Sequence, residues 1–213
     1  MKPELIFANT DDRIEIADQI VEKHHGYVAS KRTVGRCLKY LVAYDGHYIG
    51  TIWIGSGFKP TPKDVLNYFG VSQKKFDEFF NCVADNKRFC LIKSIPNLGS
   101  QVLKLMRDRI KADWYAIYGD ELRAVITTVG GNRSGAVYMA DNWKQIGQTA
   151  GLPKDRKGVS MKWDDKKDID EKFVKPNGED KKTIFITTNL KKTKLPIRSK
   201  VIERKPKQHS FEF

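Results

Sequence analysis

The residues best equipped for chemistry gather in one stretch, from Arg88 to Thr149. It opens RFCLIKSIPNLGSQVL, passes through AVITTV, and closes GNRSGAVYMADNWKQIGQT. The first part predicts a strand that runs through a small-residue loop into a helix. The first amides of a helix lack intrahelical partners, and the helix dipole places partial positive charge there. Such a junction suits a phosphate-bearing ligand. Ser100 can donate to that phosphate or cap the helix, and the two roles are compatible. Arg88 can anchor a phosphate through its planar fork, or stand as an edge residue at a strand start. His24 and His25 can supply a base or a pair of metal ligands, or be one exposed and one hydrogen-bonded imidazole. No third ligand stands at a suitable spacing. Trp53 and Trp143 can stack on a base drawn from a duplex, or belong to the core.

The elements that must position these groups are legible from periodicity and caps. Ile14, Ala17, Ile20 and Val21 predict a helix over about 11–23, with Asn9 or Thr10 as N-cap and a stop at HHGYV. Asp45-Gly46 predicts a hairpin joining strands at about 39–44 and 48–55, and Gly50, Gly55 and Gly57 predict bulges or a close neighbour. A helical insertion follows over about 60–85. Its first helix starts at Thr61-Pro62 and ends at Gly70; its second is capped by Ser72 and carries Phe76, Phe79, Phe80 and Val83. Then come a strand over 88–93, a helix over about 100–118, a strand over 123–129, a short helix over about 135–141 and a strand over 143–149. Residues 151–182 are charged and broken by Pro153, Gly158, Pro176 and Gly178, which reads as a surface excursion. TIFITT from Thr183 predicts a closing strand, and 191–213 a basic tail. Residues 1–190 are thus expected to form one catalytic domain with two insertions.

Composition sets the bounds. The chain has 213 residues, 40% of them hydrophobic and 11% aromatic, enough for a core and incompatible with wholesale disorder. No run is long and apolar enough for a membrane helix, and MKPELIF lacks a signal-peptide pattern. Cys37, Cys82 and Cys90 are odd in number and without metal-like spacing, which points to a reducing cytoplasm and to Cys90 as a small core hydrophobe. The formal net charge of +13 attracts polyanions, nucleic acid first among them; much of the excess lies in the last sixty residues.

The element order resembles the fold of the GNAT acyl-CoA N-acyltransferases. That resemblance implies an α/β (α+β) fold with a central, mixed, mostly antiparallel twisted sheet flanked by helices. It implies an acyl-CoA or related acyl donor whose pyrophosphate rests on the amides of Asn97, Leu98, Gly99 and Ser100. The Q/R-x-x-G-x-G/A motif usual at that loop is absent. GAVYMADNWKQIG resembles the superfamily's last unit, which makes Tyr138 the implied general acid toward the CoA thiolate. A phenol, with an ordinary pKa of about 10, suits a leaving thiolate of comparable basicity.

NKRFCLIKSIPNLGSQVL with GAVYMADNWKQIGQTAG, and more loosely HHGY at His24–Tyr27, resembles the DruA-like family of Druantia anti-phage systems. The same layout is similar to the phage Mom proteins, which modify the adenine amino group in DNA and shield phage genomes from restriction. By that resemblance His24 or His25, Arg88, Ser100 and Tyr138 are the reacting set, and iron on the histidines is a possible cofactor. Double-stranded DNA would be the partner, held by Trp53, Trp143, Lys191, Lys192 and Arg198, and the setting a bacterial cytoplasm with a phage-encoded protein. Both families commonly carry an Asp after the second strand of the unit, where this chain has Val129-Gly130-Gly131. Either the chemistry differs, or Asp141 substitutes, or the chain is inactive. Two other readings stand: a non-catalytic DNA- or RNA-binding module, and an acyltransferase for a protein or small amine.

Overall fold

The computed structural model describes residues 2–25, 33–130, 133–150, 154–155, 173–174 and 181–191. In chain order these residues form β1 (Glu4–Phe7), α1 (Asp11–His24), β2 (Cys37–Tyr44), β3 (His47–Ser56), α2 (Lys63–Phe69) and α3 (Gln73–Asp77). A 3-10 turn (Phe80–Cys82) leads into β4 (Val83–Leu91), α4 (Leu98–Tyr118), β5 (Ala124–Val129), α5 (Ala136–Ala140) and β6 (Lys144–Gln148). A two-residue pair, β7 (Lys154–Asp155) and β8 (Phe173–Val174), stands apart, and β9 (Thr183–Thr187) closes the chain of elements. The main sheet runs β1-β2-β3-β4-β5-β9-β6. Every pairing in it is antiparallel except β4 with β5, as expected of the mixed, mostly antiparallel sheet.

Local chemistry explains the elements. Asp45 (φ 52°) and Gly46 (φ 74°) both take the left-handed region, the combination that closes a two-residue hairpin between right-twisted strands. Gly70 ends α2 and Gly119 ends α4 in the same region, where a side chain would be strained. The Ser72 hydroxyl accepts from the Lys75 amide at 3.3 Å and caps α3. Glycines of β3 are there for proximity: a Cβ on Gly55 would lie 2.5 Å from the Arg36 carbonyl.

Both faces of the sheet are covered, so its central strands are apolar on alternate sides. Tyr40, Val42, Ile52, Ile54 and Val125 pack against Val102, Leu103, Met106, Ile110 and Trp114 of α4. The residues between them, Leu41 and Trp53, pack with Cys90 against Ala17, Ile20 and Val21 of α1. Farther along that second face, Val83, Ala124, Ile126, Ile184 and Ile186 pack against Val65 and Phe76 of the helical insertion, ringed by Phe69, Phe79 and Phe80.

Three expectations need correction. β1 was not foreseen; four residues pairing with β2 carry too little pattern to announce a strand. The helical insertion ends by Cys82, and β4 starts at Val83, five residues before the predicted strand. The tertiary pairing of Val83, Ala84 and Asp85 with β5 overrides the helical periodicity of Phe76, Phe79, Phe80 and Val83. The helix after the loop begins at Leu98, not Ser100. Most of 151–182, and 192–213 with Lys192 and Arg198, lie outside the described residues.

Candidate functional site

β4 and β5 part company partway along. They pair at Val83↔Ala124, Ala84↔Val125 and Asp85↔Ile126, and no farther. Beyond that point β4 stays on β3 as far as Leu91, while β5 stays on β9 as far as Val129. The two strands therefore splay, and a cleft of about 1280 Å³ occupies the opening. Residues 85–91 of β4, Thr127–Val129 of β5 and Gly135–Tyr138 of the α5 region line it, with His24 and His25 at the end of α1.

A bulge in β4 faces this opening. Arg88 pairs with Trp53 and Asn86 with Ile54, leaving Lys87 as an extra residue. One extra residue bends the strand and re-aims its side chains, which is why bulges recur beside reaction centres. The bulge also decides the faces. Paired residues share a side, so Asn86 lies with Ile54 on the α4 side, while Asp85 and Arg88 lie with Gly55 and Trp53 on the α1 side. The opening thus presents one set of groups on each face.

On the α4 side stands Tyr138, buried, with its hydroxyl accepting from Asn86 Nδ2 at 3.1 Å. Its ring stacks on Phe185 at 5.7 Å and meets Trp143 edge-on at 5.1 Å. Gly135 makes this position possible. It takes φ 72°, and a Cβ there would lie 2.4 Å from the Phe185 ring. Gly99, in the first turn of α4, does the same: its absent Cβ leaves room for Val137, whose side chain would lie 2.5 Å from it.

On the α1 side stands Asp85, which burial pushes up to about 6, although Lys87, Arg88 and Lys182 pull the other way. Lys87 Nζ is 3.8 Å from Asp85 Oδ2, and Oδ1 has no hydrogen-bond partner among the described residues. Burial, with the positive charges of Arg88 and Arg133, holds His25 below its ordinary range, so the imidazole is neutral at neutral pH. Lys59, Lys87, Arg88, Arg133 and Lys182 line the described cleft against the single carboxylate Asp85.

The predicted residues fall into three groups. Tyr138, Arg88, His24 and His25 all line the cleft. Asn97, Leu98, Gly99 and Ser100 do not line it: Leu98 is buried, Gly99 is covered by Val137, and the Ser100 hydroxyl donates to the Asn97 carbonyl at 3.0 Å. In the remaining group the two tryptophans belong to packing. Trp53 is wholly buried with its Nε1 donating to Thr51 Oγ1 at 2.8 Å, and Trp143 is buried with its Nε1 donating to Asp141 Oδ2 at 2.9 Å. Neither indole is placed to stack on an extruded base, because each closes a core cluster. Lys191 is exposed, its amide donating to the Arg107 carbonyl at 3.1 Å.

Asp141 does not replace the missing family carboxylate. Arg107 donates to it through Nε at 2.7 Å and through a second nitrogen at 2.6 Å, and this pair clamps α4 to the end of α5. Among the described residues no group of three His, Cys, Asp or Glu could hold a metal, so the iron expectation finds no ligand set. Sequence reasoning missed Asp85 and Asn86. The signal is weak, because Asp85 and Asn86 open a run of four polar residues, Asp85-Asn86-Lys87-Arg88, that reads as well as the end of the helical insertion as it does as a strand.

No protein-family model matches the chain, and no curated protein matches it. Solved structures do. The ribosomal-protein-S18-alanine N-acetyltransferase of Escherichia coli superposes with a TM-score of 0.50 at 8% identity, over 90% of this chain and 97% of its own. A GNAT-family acetyltransferase from Bacillus cereus superposes at 0.49 and 13% identity, over 90% of this chain and all of its own. The likeness is one of fold.

Proposed function

We propose that this chain, which has the GNAT fold, is an N-acyltransferase that moves an acyl group from a CoA thioester to an amine. The observation that carries the reading is the splayed β4–β5 opening with a proton acceptor on one face, Asp85, and a proton donor on the other, Tyr138. Two further features fit an acyl-CoA ligand. The cleft has room for its pantetheine arm, and the lining cations suit its phosphates. When bound, the thioester supplies an activated acyl carbon.

The chain's own residues then divide the proton work. As the carbon–nitrogen bond forms and the carbon–sulfur bond breaks, Asp85 takes the proton leaving the amine, and Tyr138 gives its proton to the departing thiolate. A carboxylate near pH 6 is largely ionised at neutral pH yet more basic than an exposed one, which suits a general base. Water afterwards removes the proton from Asp85 and restores that of Tyr138. No net proton is held by the protein.

The acceptor we propose is the exocyclic amino group of adenine in double-stranded DNA, as the Mom-like and DruA-like sequence resemblance implies. Its support is the net charge of +13 and the cationic lining of the cleft. Nucleoside mass spectrometry tests it. DNA from cells expressing the wild-type chain should hold an adenosine of increased mass, absent with Tyr138→Phe. Unmodified DNA, together with acyl transfer from acetyl-CoA to a protein or small amine, would move the acceptor elsewhere while keeping the reaction.

A further inference from the structure

We infer that Asn86 is the positioning residue of this site, fixing the direction in which the Tyr138 hydroxyl presents its proton. The inference rests on the acyl-transfer reading and extends it. Asn86 is 5% exposed on β4, immediately before the bulge, and its backbone carbonyl accepts from Thr127 Oγ1 at 3.4 Å. Burying an amide costs free energy unless it is hydrogen-bonded, so a buried Asn between Ala84 and Cys90 calls for a reason. Its Nδ2 donates to Tyr138 Oη at 3.1 Å.

A phenolic O–H lies near the ring plane and has two preferred directions. With an N–H arriving from Asn86, the phenol's own proton is turned to the other direction, toward a group bound in the cleft that both residues line. The stacked Phe185 and the edge-on Trp143 prevent the ring from reorienting. After Tyr138 gives its proton to the thiolate, the same N–H stabilises the phenolate until water returns a proton. The bulge is what allows this. It sends Asn86 to the α4 side and keeps Asp85 and Arg88 on the α1 side, so donor and base face the reacting atoms from opposite directions. The Asn86 Oδ1 has no partner among the described residues, so the amide's hydrogen bond to protein is made through its nitrogen.

Asn86→Asp tests the direction, because it keeps the shape and replaces the donor with an acceptor. Tyr138 would then donate to the new carboxylate. With acetyl-CoA and duplex DNA as substrates, thiol release by Asn86→Asp should fall about tenfold or more in kcat at pH 8, with little change in the KM for acetyl-CoA. Asn86→Asp should add nothing in a Tyr138→Phe background; additive losses would mark a merely structural role and overturn the inference. Wild-type kcat in Asn86→Asp would overturn it too. A second arm needs no activity. The side-chain amide signals of Asn86 in a ¹H–¹⁵N spectrum, identified by their loss in Asn86→Asp, should move in Tyr138→Phe, and signals that stay put would remove the bond on which the inference stands. Absence of thiol release from the wild type with duplex DNA, and with protein and small amines in its place, would end the acyl-transfer reading, while the amide arm still decides the Asn86–Tyr138 contact.

Discussion

Asp85 combines burial with a negative charge, and that conflict has two measurable consequences. Its folded-state pKa is about 6 against an ordinary 3.8, because burial disfavours the ionised form. The folded protein therefore keeps this proton at pH values where the unfolded chain has lost it. The contribution to stability is fully present below about 3.8 and is lost as pH rises through about 6, a span worth about 3 kcal/mol. Asp85→Asn should consequently raise stability at pH 7.5, by on the order of 1–3 kcal/mol in urea unfolding, while removing acyl transfer. If the acyl-transfer reading holds, the wild-type chain should lose kcat/KM about tenfold per unit below pH 6, where Asp85 becomes protonated. A flat profile between pH 5 and 7 would exclude Asp85 as the base. At this scale the sequence made Tyr138, Arg88 and the histidines visible through motif and type. It hid Asp85, because a carboxylate followed directly by Asn86, Lys87 and Arg88 looks the same in a solvated turn as in a buried strand.

The short helix α5 depends on what surrounds it. Five residues cannot hold a helix by themselves, so Tyr138 is located by Gly135 beneath it, Val137 against Gly99, and the clamp that follows. Gly135→Ala combines a left-handed backbone with a side chain driven into Phe185. Together these should cost about 2–4 kcal/mol by denaturant unfolding, with a larger proportional loss of acyl transfer. The Arg107–Asp141 pair is buried on both sides, with side chains 11% and 5% exposed. Arg107→Ala would leave Asp141 charged and enclosed, at a cost of about 3–5 kcal/mol, whereas replacing both partners with apolar residues should cost less. Equal losses in the two variants would show that the pair contributes by attraction alone. The elements α1, the β2–β3 hairpin, α4, β5 and β9 were legible because each has a strong period and a cap or turn. The boundary of β4 was not, since the Phe76-Phe79-Phe80-Val83 spacing is helical while the pairing partner of Val83, Ala124, lies 41 residues downstream.

For the molecule as a whole, charge sets the behaviour toward polyanions. Residues 192–213 carry seven Lys and Arg against two Glu, and the cleft carries five more cations. If DNA is the partner, its affinity should fall linearly on a log–log salt plot, with a slope of about −0.9 per phosphate neutralised. Removing residues 192–213 should make that slope shallower, measured by fluorescence anisotropy on a duplex. An unchanged slope would place the phosphate contacts on the described domain instead. Placement of the cations in the cleft cannot be deduced from their number: Lys59, the adjacent Lys87 and Arg88, Arg133 and Lys182 come from four separate parts of the chain and meet only when β4 and β5 splay.

What the sequence determined by itself follows from local physics. Apolar periodicity, glycine stops, the Asp45-Gly46 turn and the TIFIT strand specify the elements and, in their order, the GNAT-like architecture; the lysine and arginine excess specifies a formal net charge of +13. The tertiary structure alone decided three things. It set the single parallel contact of β4 with β5 and its end at Asp85, the bulge at Lys87 that puts Asn86 and Asp85 on opposite faces, and the burial that moves Asp85 into the range of a general base. Each depends on residues distant in the chain. Strand register and enclosure are properties of neighbours that only the folded sheet supplies.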